Sequence, residues 1–261
     1  MIGVFDSGLG GLSVLAAIEK SLPDADIVYL ADTAHVPYGN KSDAFIRDRV
    51  LAIGRYLVEY GCNLIVVACN TATAAAVAAL RDALPEIPVV GIEPGVKPAA
   101  AASKRRRIAV LTTTSTARSE RLASLIQHHA QAVHVEILPC PGWATKVETL
   151  QLDDPVFVDS LRQHLTPALD AGADQIVLGC THYAFLAPLL EPLVAGRATL
   201  VDVADAVARQ CVRLATPSAS GSGTLTLLAT AQPERLQLAL PALGLQHLAR
   251  RLSGPALEVK A

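Results

Sequence analysis

An excess of charge of one sign is nearly absent from this 261-residue chain. Lysine and arginine number 22 against 24 aspartates and glutamates, a formal net charge of −2, which supplies no general attraction for nucleic acid. The one basic run, Lys104-Arg105-Arg106-Arg107, leads directly into an apolar strand candidate and reads as a solvated loop. Long apolar runs are missing as well. Proline, glycine or charge interrupts each stretch short of the roughly 18 residues that a spanning helix needs, so no membrane partner is expected. Met1 leads into Ile2-Gly3-Val4-Phe5 without a charged leader region, and a cytoplasmic location is the default expectation.

Cysteine is scarce and widely spaced. The five, Cys62, Cys69, Cys140, Cys180 and Cys211, are odd in number and contain no C-x-x-C pair, which excludes a disulfide framework. A zinc site from Cys69, Cys180 and His182 is conceivable, but structural zinc takes four ligands, usually in closely spaced pairs, so no metal is expected. Phosphate-loop signatures are also lacking. Asp6-Ser7-Gly8-Leu9-Gly10-Gly11 satisfies neither G-x-G-x-x-G nor G-x-x-x-x-G-K-[ST]. No lysine stands in a motif-like context, so a pyridoxal cofactor is not expected.

What is present is a duplication. Leu64-Ile65-Val66-Val67-Ala68-Cys69-Asn70-Thr71 and Gln175-Ile176-Val177-Leu178-Gly179-Cys180-Thr181-His182 share one design, each with a glycine, Gly61 or Gly172, eight residues before the cysteine. A β-branched run followed by polar, helix-opening residues puts each thiol at the carboxyl end of a strand. Ligands of open α/β sheets gather there. A single buried cysteine is usually only a small hydrophobe, but two at equivalent points of two units suggest a shared task. The free thiol pKa is about 8.5 and helix amino-termini lower it, so each could give or take a proton.

Strand and helix signals alternate around the two units. Strands are expected over residues 2–5, 27–30, 89–92, 107–111, 133–138 and 200–203. Ile46, Val50, Ile53 and Leu57 fall on one helical face, and further helices are expected over 12–20, 72–84, from the hydroxyl cluster Thr112-Thr113-Thr114-Ser115-Thr116 to about 129, after the cap Asp154-Pro155, and over 204–214. Glu93-Pro94-Gly95 marks a domain crossing, and residues 216–223 read as a flexible connection. The fold expected is α/β, with two pseudo-symmetric domains and mainly parallel sheets facing each other across an active-site cleft. The first comprises 1–94 plus 205–261 and carries Cys69; the second comprises 95–204 and carries Cys180. Taken alone, Asp6 reads as a helix cap or proton acceptor, His35 as part of a turn, and Glu148 as a solvated helix carboxylate.

Together these residues resemble the glutamate racemases of the aspartate/glutamate racemase superfamily. The resemblance rests on Asp6-Ser7-Gly8, Asp32-Thr33-Ala34-His35-Val36-Pro37-Tyr38-Gly39, Cys69-Asn70-Thr71-Ala72, Glu93-Pro94-Gly95, Cys140-Pro141 with Val147-Glu148, and Gly179-Cys180-Thr181-His182-Tyr183. It implies cofactor-independent interconversion of L- and D-glutamate, supplying D-glutamate for peptidoglycan, with Cys69 and Cys180 as acid/base thiols. It further implies that Asp6 assists Cys69, that Glu148 and His182 assist Cys180, and that Ser7, Pro37, Tyr38, Gly39, Asn70, Thr71, Thr116 and Thr181 join them in binding substrate. A homodimer and a gyrase interaction are implied by family analogy only. The alternatives are a two-cysteine racemase of aspartate or a hydantoin, or a non-enzymatic, gyrase-inhibiting relative. Ala184, Val203 and Ala231-Gln232 depart from the family pattern, and Val203 is the one expected near the substrate.

Overall fold

A computed structural model of the chain describes residues 1–215 and 221–261, so residues 216–220 of the connection expected over 216–223 lie outside the described residues. β1 (Ile2–Asp6), β2 (Ile27–Ala31), β3 (Leu64–Val67) and β4 (Val89–Gly91) form one parallel sheet in the order β2-β1-β3-β4. β5 (Arg107–Thr112), β6 (His134–Pro139), β7 (Gln175–Leu178) and β8 (Thr199–Val201) repeat that order as β6-β5-β7-β8, again parallel. The duplication seen around the cysteines is therefore a duplication of sheets. β9 (Leu225–Ala229) and β10 (Leu257–Glu258) of the tail extend the first sheet beyond β2.

Continuous apolar strands such as Leu64-Ile65-Val66-Val67 are buried on both faces, as parallel sheets require. α1 (Leu12–Ser21) and α10 (Ala204–Leu214) cover one face of the first sheet, and α2 (Asp43–Glu59) with α3 (Asn70–Ala83) covers the other. In the second sheet, α8 (Pro155–Asp170) and α9 (Ala187–Val194) pack on one face, opposite α4 (Val96–Ala102) and α6 (Glu120–His129). Gly61 and Gly172 both adopt left-handed backbone, with φ of 104° and 95°. An L side chain would be strained at either point, so the equivalent glycines end α2 and α8 by the same device.

The helix expected to run unbroken to 129 is two. α5 (Thr114–Ala117) is capped by Thr113, and α6 starts afresh because the Ser119 hydroxyl accepts the Leu122 N–H. The last strand of the second sheet is Thr199–Val201 rather than 200–203.

Candidate active site

Both cysteines stand where the spacing puts them. Cys69 follows β3 as the N-cap of α3, and Cys180 follows β7 as the N-cap of a short 3-10 helix, Thr181–Leu186, where an α-helix would have matched the first copy more closely. They are 5% and 7% exposed, so neither thiol is open to bulk water. Asp6 ends β1, beside β3, and Thr112 ends β5, beside β7. The carboxyl ends of the two central strand pairs are thus brought together from two sheets.

The hydrogen bonds across this junction are specific. Cys180 Sγ lies 3.6 Å from His182 Nδ1, and His182 Nε2 lies 2.6 Å from Glu148 Oε1. The backbone N–H of Leu9, in the loop after β1, donates to the same Glu148 oxygen at 2.7 Å. Glu148 ends α7 (Trp143–Glu148) and is buried, which corrects the expectation of a solvated helix carboxylate: His182 and the Leu9 N–H satisfy it inside the junction. A Cβ on Gly8 would run into that carboxylate, and one on Gly10 into the His182 ring, so the glycines of the first loop are what allow the two halves to approach.

Around Cys69 the contacts are looser. Its sulfur is 3.9 Å from Ser7 Oγ. Asp6 is fully buried, accepts the Gly8 N–H at 3.0 Å and faces the Thr181 hydroxyl at 3.5 Å. It does not cap α1, whose N-cap is Gly11. Thr71 Oγ1 meets Thr113 Oγ1 at 3.1 Å and Thr116 Oγ1 at 3.3 Å, joining α3 to α5. The Asn70 side chain is buried, and both its nitrogen and its oxygen lack a hydrogen-bond partner within the protein. Such a group is costly unless something else satisfies it.

Burial shifts several acid-base groups of the junction. Burial, with the neighbouring Asp6 charge, pushes the Cys69 thiol well above its ordinary value, and burial also raises Asp6. Burial alone would depress His182, but its hydrogen bonds to Cys180 and Glu148 outweigh this and hold the imidazolium well above its ordinary range. Among the described residues, no cluster of three or more His, Cys, Asp or Glu side chains is arranged to hold a metal ion, and no helix is long and apolar enough to cross a membrane.

The Tyr38 loop is anchored by its own hydrogen bonds. Tyr38 is buried with its hydroxyl donating to Asp32 at 2.6 Å, and Arg49 clamps the same carboxylate through two bonds of 2.9 Å. His35 and Thr230 complete the set, and His35 lies in a turn, as expected, with its ring against Asp32. The Tyr38 hydroxyl is thus engaged with Asp32, and Pro37, Gly39 and Asn40 line a cavity of about 220 Å³ beside Cys140. Val203 packs near Gly95 rather than into that cavity. Sequence reasoning missed Thr113 as a bridging residue, although it lies inside the hydroxyl cluster, and Arg235, which donates to the Glu148 carbonyl at 2.8 Å and carries no motif signal.

The pattern of the Asp/Glu/Hydantoin racemase family matches residues 2–211. The chain belongs to that family. As a member it is a racemase, and so an isomerase. It is 46% identical over 246 residues to the glutamate racemase of Pseudomonas aeruginosa, covering 93% of both chains. Its structure superposes on Escherichia coli glutamate racemase, solved with L-glutamate and the activator UDP-MurNAc-Ala, with a TM-score of 0.86, 34% identity and coverage of 98% and 96%. Thermus thermophilus glutamate racemase, solved with beta-chloro-D-alanine, gives 0.79 at 34% identity, covering 99% of this chain and 96% of that one.

Proposed function

We propose that the protein interconverts L- and D-glutamate by proton transfer between two thiols. The observation that carries this reading is the pair of buried cysteines at equivalent strand ends, each with its own acid-base neighbours, in a chain so similar to glutamate racemases over nearly its whole length. One thiolate takes the α-proton, the electron pair stays on the α-carbon and spreads into its carboxylate, and the opposite thiol protonates the other face. The thiol and thiolate have then changed places, and no external acid, base or oxidant enters the balance.

The carbanion needs donors already aimed at its carboxylate. The amino-termini of α3 and of the 3-10 helix after Cys180, with the hydroxyls of Ser7, Thr71, Thr116 and Thr181, are suited to this. Asn70 supports the same assignment, because a substrate carboxylate and ammonium would satisfy its two orphaned atoms. Asp6 is assigned to Cys69, and His182 with Glu148 to Cys180. Since both thiols are buried, the two bodies, 1–94 with 205–261 and 95–204, must part to admit substrate. The product D-glutamate suits a cytoplasmic role in supplying peptidoglycan synthesis.

Polarimetry of purified protein with D- and L-glutamate, without added cofactor, tests the reading. Loss of optical rotation from either enantiomer is expected, with glutamate preferred to aspartate. No change from either enantiomer would overturn it.

A further inference from the structure

Apart from the thiols there is a cleft of about 760 Å³ between α2 and α3 on one side and α5 and α6 on the other, and it stops at Gly39 and Thr71. Thr71 is two residues past Cys69, and its hydroxyl closes the floor through its bonds to Thr113 and Thr116, which come from the other half. Breaking that hydroxyl triangle is the shortest change that would join the cleft to the buried cysteines and to Asn70.

The walls of the cleft are charged. Lys41, Arg47, Arg118 and Arg121 face Asp43 and Glu120. Arg121 is held by Glu93. Asp43 and Glu120 are the first residues of α2 and α6, where the helix amino-termini offset their charge. Lys41, Arg47 and Arg118 are exposed and, among the described residues, make no ion pair. Three uncompensated cations thus ring one opening of a chain whose overall charge is −2.

We infer that this cleft is the substrate entrance and that Lys41, Arg47 and Arg118 form a cationic collar selecting amino acids with a second carboxylate. The inference rests on the proposed racemisation of glutamate. Glutamate carries one net negative charge at neutral pH and is drawn to the collar, while a neutral amino acid is not. None of the three touches the reacting atoms, so the collar acts on capture and leaves the chemical step alone.

The test compares wild type with the triple variants K41Q/R47Q/R118Q and K41E/R47E/R118E, and with Arg209→Glu on α10, which removes a similar surface charge away from the cleft. The neutral triple variant should raise KM for glutamate about tenfold with kcat nearly unchanged, and its KM should lose most of the wild-type dependence on salt. The reversed triple should raise KM further, with added salt now lowering it. Circular dichroism checks folding, and calorimetric titration with D-glutamate reads the same shift in affinity whether or not turnover is present. An unaltered KM, affinity and salt response in both triples would overturn the collar, as would an equal effect from Arg209→Glu. Absence of racemisation by wild type would instead count against the proposed function, and the calorimetric comparison would still decide the collar.

Discussion

The two halves place their cysteines alike and equip them differently. Strand orders β2-β1-β3-β4 and β6-β5-β7-β8 are superimposable in pattern, and each thiol follows the third strand of its own half. Yet Cys180 sits at the head of a continuous chain through His182 and Glu148 to the Leu9 N–H, whereas the Cys69 sulfur has a long side-chain contact to Ser7, and Asp6 nearby is bonded to the Gly8 N–H instead. Duplication fixed the position of the thiol, because position follows from strand and helix geometry. The side chains around each thiol are ones that the two copies do not share. The helpers also cross the junction: Leu9 of the first half holds Glu148 of the second, and Thr181 of the second faces Asp6 of the first. Neither thiol has its full surroundings until the halves meet.

The strongest way to break the comparison is to remove one thiol at a time. A positioned acid or base contributes about 10² to 10⁴ in rate, and each turnover in the proposed reaction uses both, so Cys69→Ala and Cys180→Ala should each lower racemisation by at least that factor in both directions. In deuterated water, wild type should place deuterium in the newly formed enantiomer while the remaining substrate stays protiated at early times. Early deuterium in unreacted substrate, at the rate of racemisation, would mean that one base serves both faces.

The helpers sharpen the comparison with a smaller effect. Since the enantiomers are equal in free energy, kcat/KM must fall equally in both directions for any variant, and asymmetry has to be sought in isotope effects. With Cys69 assigned by the family resemblance to D-glutamate and Cys180 to L-glutamate, Asp6→Asn should slow proton removal by Cys69, raising the primary isotope effect with α-deuterated D-glutamate and lowering it with the L-enantiomer. His182→Asn or Glu148→Gln should do the reverse. Losses of about tenfold to a hundredfold in rate are expected. Identical isotope effects for both enantiomers in all three variants would refute separate assignment of the helpers.

Much of this was legible in the chain because strand, glycine and cysteine recur at fixed spacing, and spacing is what sequence preserves. The parallel sheets, the two strand-end thiols and the helices on Ile46 or Leu161 follow from short-range periodicity. The fate of Glu148 did not, since a carboxylate at the end of a short helix looks the same whether solvent or an imidazole from 34 residues on satisfies it. Tyr38 turned inward for a similar reason: its partner Asp32 is held by Arg49, on a helix face that reads as polar surface until Asp32 is folded against it. Arg235 meets the Glu148 carbonyl across 87 residues, and no local pattern announces such a contact.

The smallest expected effect separates thiols that react from thiols that only pack. Burial pushes Cys62 up to about 11, and Cys140 and Cys211 up to about 12, against an ordinary value of 9.0. Cys211 and Cys62 lie in the cores on opposite faces of the first sheet, and Cys140 lies in the core of the second. A group whose folded value is raised stabilises the fold fully below its unfolded value, and that contribution is lost as pH climbs through the folded value, because the unfolded thiol ionises first. The melting temperature should therefore be insensitive to these thiols up to about pH 9 and fall above it, with the Cys62 contribution exhausted near 11 and the other two declining to about 12. For Cys62 the full loss is about 3 kcal/mol. Cys211→Ala and Cys140→Ala should each be less stable at neutral pH, through the space they leave, and should each decline less steeply in alkali. The variant with the shallower slope identifies the half whose core thiol keeps its proton to the higher pH. Slopes equal to wild type in both variants would show that alkaline unfolding is driven from elsewhere, with the buried tyrosines Tyr29 and Tyr183 next to be examined.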